Sequence, residues 1–172
     1  SLRSVTKIAK LLIRSASKLK SVEDIVRLES KSLGPDLRMV ILTDFIRTEI
    51  TRAGFSRTLL GLSGGLDSAL ACYLAAEALG PGNVLAVRMP YRTSSPDSLA
   101  HAQLVIDALG VETLTIPITD MVEPLFNLHP DMENRRKGNI MARQRMIVLF
   151  DQSEVFKGLV LGTGNKTEIL LG

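Results

Sequence analysis

The sequence is poor in the residue types that mark secreted, membrane-spanning and nucleic-acid-binding proteins. Its 172 residues include one cysteine, Cys72, which excludes the internal disulfide framework that small secreted domains use. Tryptophan is absent and aromatic residues make up only 4%, too few for the stacking platforms that bind single-stranded nucleic acid. The longest apolar run, residues 69–76, is far shorter than the roughly 18 residues that span a bilayer. We therefore expect a soluble cytoplasmic domain with neither a nucleic-acid nor a membrane partner.

Acidic residues are also absent from the first twenty positions, where six lysines and arginines accompany apolar residues at helical spacing. Because those six charges exceed the net charge of +3 for the whole chain, the rest of the sequence is mildly acidic. A basic amphipathic start is typical of a transit peptide, a surface-binding helix or a helix that packs on the body of a protein. We expect residues 1–34 to form a basic helical extension, and we favour packing on the body.

Strand-like and helix-like segments alternate along the rest of the chain. Short apolar strands are predicted at residues 58–62, 84–89, 113–118 and 158–163. Helices are predicted at residues 36–53, 66–79, 96–109 and 131–150. Strands that alternate with helices through short links form right-handed crossovers in a parallel sheet. The predicted fold class is therefore α/β, with a doubly wound parallel sheet and extra helices at the N-terminus.

A glycine- and serine-rich turn lies between the first predicted strand and its helix. We call it the glycine–serine turn, and its residues are Gly61, Leu62, Ser63, Gly64, Gly65, Leu66, Asp67 and Ser68. The adjacent glycines let the backbone turn tightly and point N–H groups inward at a helix N-terminus, an arrangement that binds phosphate. Since Asp67 would repel phosphate without a divalent cation between them, the turn favours a polyphosphate that carries Mg²⁺. The glycine spacing matches neither the Walker loop nor the dinucleotide-binding fingerprint.

The same turn matches G-x-S-x-G, the nucleophile elbow of α/β-hydrolases, with Ser63 as the nucleophile. A hydrolase also needs a later acid and a histidine, and the histidines of this sequence are His101 and His129. A third interpretation is a glycine turn before a capped helix, without chemistry. The pattern alone leaves these interpretations open, although a nucleophile elbow does not call for an acid at Asp67.

Three motifs resemble a known family. Residues 63–68 read S-G-G-L-D-S and resemble the S-G-G-x-D-S loop of the N-type ATP pyrophosphatases, which cleave ATP between its α and β phosphates. Residues 137–146 are similar to the K-G-N-x-x-A-R-x-R-M segment of the NAD synthetases in that superfamily, and residues 162–168 to their G-T-x-N/H-x-x-E segment. The motifs occur in the family's order, and with residues 88–91 the resemblance covers about residues 36–172. It implies a Rossmann-like, three-layer fold of the adenine-nucleotide α-hydrolase type.

The resemblance implies a C–N ligase that converts deamido-NAD, ATP and ammonia into NAD, AMP and pyrophosphate through an acyl adenylate. ATP would be bound by the glycine–serine turn together with Met89 and Thr163. The catalytic residues that the resemblance implies are Ser63, Asp67 and Ser68. The Mg²⁺ ligands that it implies are Asp67 and Glu168. These two carboxylates follow the first and fourth predicted strands, and open α/β sheets bind ligands at the carboxyl ends of their strands.

Two arginines of the second motif receive different roles. Arg143 matches the family position that binds deamido-NAD, and Asn139 is a second candidate for the same substrate. Arg145 lies about 200° further around the helix than Arg143, so both cannot face one site, and we expect a structural or interfacial role for Arg145. The basic run at residues 135–137 is interpreted as a solvated charged face.

The resemblance also implies a homodimer, with the helices at 36–53 and 131–150 as candidate interface elements. We expect free ammonia as the nitrogen donor, because no Cys-Glu-Lys amidase pattern surrounds Cys72. Family members continue beyond the segment of Glu168, so we expect the domain at 35–172 to lack part of the substrate site. The alternatives are another ATP pyrophosphatase, such as a tRNA-modifying or GMP synthetase-like enzyme, and a non-catalytic ATP-binding module on the same fold.

Overall fold

The computed structural model describes residues 35–163, in which strands and helices alternate after a first helix. The elements are α1 (Pro35–Arg52), β1 (Thr58–Gly61), α2 (Leu66–Leu79), a 3-10 turn (Pro81–Asn83), β2 (Val84–Arg88), α3 (Pro96–Leu109), β3 (Glu112–Thr115), α4 (Thr119–Asn127), α5 (Asn134–Phe156) and β4 (Leu159–Val160). The extension predicted at 1–34 and Glu168 lie outside the described residues, so the division into an extension and a 35–172 domain stays a prediction. Within 35–163, no helix has the length and apolarity needed to cross a membrane.

The four strands form one parallel sheet in the order β3–β2–β1–β4. Thr58 of β1 lies opposite Val84 of β2 on one side and opposite Leu159 of β4 on the other. The chain therefore builds the sheet outward from β1 to β3 and then returns to the opposite side of β1. This reversal creates a topological switch point between β1 and β4, where open α/β sheets bind their ligands. The predicted doubly wound parallel sheet is confirmed.

Helices cover both faces of the sheet, because successive side chains of the buried strands point to opposite faces. Leu60 packs on one face in a cluster with residues of α2 and α3 such as Cys72 and Ile106. Leu59 packs on the other face in a cluster with residues of α5 such as Val148. Cys72 is fully buried, as its apolar helix predicts, and burial raises the pKa of its thiol to about 11.

The helix after β2 illustrates how local sequence sets element boundaries. The Ser95 hydroxyl accepts a hydrogen bond of 3.2 Å from the backbone N–H of Asp97, and Pro96 occupies the first turn of α3. The helix ends at Gly110, whose φ of 66° lies in the left-handed region that glycine adopts freely. Both ends of α3, and both ends of α2, lie where the sequence predicts them.

The second half of the chain departs from the prediction. Strand β3 ends at Thr115 rather than at residue 118, and the 119–127 helix α4 is not predicted at all. The chain still runs alongside β2 after β3 ends, because the N–H of Ile116 donates to the carbonyl of Arg88 at the end of β2 and the N–H of Ile118 to that of Pro90 just beyond it. These two bonds lie outside a regular strand. Pro124 lies inside α4 and removes one helical N–H. A proline at this position argues against a helix, so the sequence did not predict one.

The last two predicted elements have different lengths in the structure. Helix α5 extends to Phe156, past the predicted end at residue 150, and β4 contains only the residues 159–160 of the predicted 158–163. The helix continues because Val148 and Phe156 are both buried against the sheet. It ends at Lys157, which takes a left-handed φ of 54°.

Candidate functional site

The glycine–serine turn leaves the carboxyl end of β1 and opens α2. Leu62 follows the last residue of β1 and still bonds to β2, since its N–H donates to the carbonyl of Val87 at 2.9 Å. Gly65 is the N-cap of α2, and no side chain caps this end of the helix. The N–H groups of the first helical turn are therefore available to an external acceptor, and the helix dipole favours an anion there.

Gly64 places the turn directly against the start of α3. Its φ is +85°, in the left-handed region, and a β-carbon at this position would lie 2.1 Å from the carbonyl oxygen of Ser98. Only glycine fits both the backbone conformation and the space. Gly64 thus allows the turn to lie close against α3.

Two serine hydroxyls hold the inside of the turn. Ser68 is 4% exposed, and its hydroxyl donates to the carbonyl of Gly65 at 2.9 Å while accepting from the N–H of Ser63 at 3.3 Å. Since the proton of Ser68 is used on Gly65, the 3.1 Å contact between the two hydroxyls has Ser63 as its donor. Ser63 in turn accepts from the N–H of Gly65 at 3.3 Å. This closed network fixes the shape of the turn.

The hydrolase interpretation receives no support from this geometry. The partners of the Ser63 hydroxyl are Ser68 and Gly65, and neither His101 nor His129, both exposed, bonds to it in the part of the chain that the structure describes. A nucleophile elbow is a strained turn. Here Lys157 is the only non-glycine residue of the described range with positive φ, so Ser63 carries no such strain.

Asp67 lies in the first turn of α2 with its side chain exposed. Mg²⁺ is bound by oxygen ligands, commonly one or two carboxylates together with substrate phosphates and water, and a single exposed carboxylate beside the glycine–serine turn fits that pattern. No group of three or more potential metal-ligand residues occurs within 35–163. Asp67 therefore fits a metal held jointly with a phosphate, and the second proposed ligand, Glu168, lies outside the described residues.

Met89 and Thr163 follow the two strands that flank β1. Met89 comes directly after β2 and is buried, and its Cε would lie 3.0 Å from a β-carbon at Gly61, so it packs beneath the start of the turn. Thr163 follows β4 and is half-buried. Since β2 and β4 are the neighbours of β1, the predicted ATP-binding residues of the described range come from adjacent carboxyl ends of the sheet.

The two predicted deamido-NAD residues lie together on α5. The exposed guanidinium of Arg143 donates from Nη1 to the side-chain oxygen of Asn139 at 3.1 Å and to its carbonyl at 3.3 Å. Arg145 points elsewhere, because its Nε donates to the carbonyl of Met89 at 3.1 Å. The different directions of the two arginines agree with their spacing on a helix. Lys137, the last residue of the basic run at 135–137, places its Nζ over the ring of Phe126, 5.9 Å from the ring centroid.

Sequence reasoning missed a cluster between the chain after β2 and α4. The Tyr91 hydroxyl donates to Glu123, Arg92 pairs with the same carboxylate at 3.2 Å, and the Arg92 N–H donates to Thr119 at 3.0 Å. The hydrogen bond to Glu123 is the main reason that the pKa of Tyr91 is raised. The available signal was the spacing of Val122 and Phe126, four residues apart and both buried, which is typical of a helix face.

A doubly wound parallel sheet with an uncapped helix N-terminus and a glycine–serine turn at its switch point defines a nucleotide-binding α/β domain. The model of the NAD synthase family matches residues 38–172. The chain belongs to the NAD synthase family.

Relatives and solved structures agree with this assignment. An NH3-dependent NAD synthetase from Trichlorobacter lovleyi is 58% identical over 77% of this chain and 48% of its own length. The fold is similar to an NH3-dependent NAD synthetase from Campylobacter jejuni, with 35% identity and a TM-score of 0.71 over 78% of this chain and 58% of that one. A glutamine-dependent NAD+ synthetase from Acinetobacter baumannii, in complex with ADP, is 33% identical with a TM-score of 0.75 over 84% of this chain and 28% of that one. The chain spans about half the length of the ammonia-dependent relatives that it matches.

Proposed function

We propose that the protein is an ammonia-dependent NAD synthetase, a ligase that amidates deamido-NAD at the expense of ATP. The observation that carries the proposal is the position of the glycine–serine turn, which opens α2 at the switch point between β1 and β4 with Asp67 exposed beside it. Membership of the NAD synthase family supports it, as do relatives named as NH3-dependent NAD synthetases.

ATP is bound through its phosphates by the glycine–serine turn. The uncapped N–H groups at the start of α2 face the β and γ phosphates, which leave together as pyrophosphate. Negative charge grows on this leaving group in the transition state, and fixed N–H donors stabilise it without reorganising. The exposed hydroxyl of Ser63 donates to a phosphate once its proton turns away from Ser68, whereas the buried Ser68 keeps the turn in shape through Gly65. Met89 and Thr163 contribute to the ATP site from the adjacent strands.

Asp67 and Glu168 are the residues that would hold Mg²⁺. When bound, Mg²⁺ neutralises phosphate charge and so favours departure of pyrophosphate. The supporting observation is chemical: Asp67 is an exposed oxygen ligand beside the phosphate-binding turn, and Mg²⁺ prefers such ligands over nitrogen or sulfur.

Arg143 binds deamido-NAD through a carboxylate or phosphate, to which its planar guanidinium is suited. Asn139 orients Arg143 through their hydrogen bond of 3.1 Å and lies beside the same substrate. A carboxylate oxygen of the nicotinate forms a bond to the α-phosphorus, and the bond from that phosphorus to the leaving pyrophosphate breaks. Ammonia then attacks the acyl carbon, AMP leaves with the former carboxylate oxygen, and the surplus proton of the amine passes to solvent.

The protein acts as a cytoplasmic homodimer. Three large apolar side chains of α5 support an interface on this helix, since Met146, Ile147 and Phe150 are 55%, 61% and 57% exposed and share one helical face. The predicted role of α1 in the same interface is part of this proposal.

Pyrophosphate release tests the proposed function. We expect release only when deamido-NAD, ammonium and Mg²⁺ are all present with ATP, and we expect glutamine not to replace ammonium. Release with tRNA or xanthosine monophosphate as the acceptor would instead identify another ATP pyrophosphatase. Binding of ATP without release for any acceptor would identify a non-catalytic ATP-binding module.

A further inference from the structure

The carbonyl of Met89 lies where β2 loses its neighbour β1. The last backbone bond between them runs from the N–H of Leu62 to the carbonyl of Val87 at 2.9 Å. In a parallel pair, the next carbonyl that faces the same neighbour is two residues further along, which is Met89. The chain after Leu62 has by then turned away from the sheet into the glycine–serine turn, so no backbone donor from β1 continues the ladder.

A side chain takes the place of that backbone donor. Nε of Arg145, on α5, donates to the Met89 carbonyl at 3.1 Å. The carbonyls on either side point the other way, to the chain that follows β3: that of Arg88 accepts a hydrogen bond of 2.9 Å from the N–H of Ile116, and that of Pro90 accepts one of 2.9 Å from the N–H of Ile118. The carboxyl end of β2 is thus held by backbone bonds on one side and by one arginine on the other.

The held residue also supports the glycine–serine turn. The side chain of Met89 is buried, and its Cε approaches Gly61 so closely that a β-carbon there would be 3.0 Å away. A displacement of Met89 would therefore move the support of the turn. Arg145 is half-buried and has no carboxylate partner among residues 35–163, whereas Arg143 is exposed and bonds to Asn139.

We infer that Arg145 is a positioning residue for ATP. Its guanidinium takes the hydrogen-bonding position that β1 has vacated beside β2 and thereby holds Met89 against the glycine–serine turn. The inference rests on the proposed function, because it takes ATP to be bound by this turn and Met89. It assigns the two arginines of the A-R-x-R segment to different tasks, since Arg143 contacts the second substrate and Arg145 acts through a backbone carbonyl.

The affinity for ATP tests the inference. Arg145→Met removes the donor, and because Met89 is then no longer held against the turn, we expect the Kd for ATP to rise about tenfold, the size typical of a residue that acts on a site without touching the ligand. Arg145→Lys keeps a charged donor of similar reach and should recover most of the affinity. Ile106→Ala is the control, because Ile106 is buried on the opposite face of the sheet in a cluster that does not include Met89: it lowers stability, and its Kd should stay within twofold of the unchanged protein.

Amide hydrogen exchange without ligand gives an independent readout. Arg145→Met should speed exchange at the N–H of Ile118, which bonds to Pro90, but not at Leu161, which bonds to Leu59 on the far side of the sheet. If the unchanged protein binds no ATP, the proposed function fails, whereas the exchange result still tests the hold on β2. If the unchanged protein binds ATP, equal affinities for Arg145→Met and the unchanged protein, or equal losses for Arg145→Met and Ile106→Ala, would overturn the inference.

Discussion

A β-carbon at Gly64 would lie 2.1 Å from the carbonyl oxygen of Ser98, far inside any possible contact distance. The relationship joins the glycine–serine turn to the first turn of α3, so two of the elements that follow the sheet strands share one tight contact. The backbone of Gly64 is also left-handed, with a φ of +85°. The shape of the glycine–serine turn at the proposed ATP site therefore depends on Gly64 having no side chain.

Gly64→Ala should lower the free energy of unfolding by at least about 2 kcal/mol, because alanine pays for the left-handed conformation and must also move the backbone at Ser98. Denaturant unfolding measures this loss, and ATP binding should weaken as well. Gly82→Ala is the control, since nothing lies within 4 Å of the added carbon there. Equal stabilities for the two variants would show that the contact with Ser98 has been misassigned.

Asp67→Ala should abolish Mg²⁺-dependent pyrophosphate release while leaving the fold intact, because the carboxylate is the proposed metal ligand and lies exposed, outside the core. Steady-state release against Mg²⁺ concentration, with circular dichroism for folding, measures the effect. Asp97, the exposed acid in the first turn of α3, provides the matched variant Asp97→Ala, which should retain its dependence on Mg²⁺. Full turnover by Asp67→Ala would remove Asp67 from the metal site.

Stability should fall at high pH through Tyr91. Its hydrogen bond to Glu123 raises its pKa above the ordinary value of 10.0, so the folded state binds this proton more tightly than the unfolded state does. The contribution is fully present below pH 10 and is lost as the pH rises through the raised pKa. Denaturant unfolding from pH 8 to 11 should show a steeper decline for the unchanged protein than for Tyr91→Phe. Parallel plots of unfolding free energy against pH for the two proteins would mean that the hydrogen bond from Tyr91 to Glu123 contributes nothing to stability.

Phe150→Lys should convert the proposed dimer into a monomer, because it places a charge within the apolar face formed by Met146, Ile147 and Phe150 on α5. Analytical ultracentrifugation measures the change. Leu104→Lys, on α3, alters a side chain that is 66% exposed and lies outside this face, so it should leave the oligomeric state unchanged. A dimer that persists in Phe150→Lys would exclude this face of α5 as the interface.

The elements in the first half of the domain could be predicted from the sequence, because their boundaries are set by neighbouring residues. Helix α3 carries its boundaries in Ser95, Pro96 and Gly110, and a cap or a left-handed glycine acts on the residues beside it. The glycine–serine turn is likewise a local motif, so a phosphate-binding role could be predicted for it before the fold was known. The short apolar runs that form β1 and β2 were equally clear, and both strands are buried along most of their length.

What the sequence could not supply depends on contacts between distant residues. Helix α4 contains Pro124, and it forms because Val122 and Phe126 bury themselves against the rest of the protein, a tertiary effect that overrides local propensity. The bond between Arg145 and Met89 joins residues 56 apart in the chain. Helical spacing predicted that Arg145 faces away from Arg143, but the identity of its partner required the fold.

The most direct test of the central claim is the fate of the carboxylate oxygens of deamido-NAD during turnover. We predict that deamido-NAD labelled with ¹⁸O in its nicotinate carboxylate transfers one labelled oxygen to AMP and none to pyrophosphate, as attack of that carboxylate on the α-phosphorus requires. Mass spectrometry of the two products measures the label. Label in pyrophosphate, or AMP formed with no label, would contradict an acyl adenylate and with it the proposed reaction.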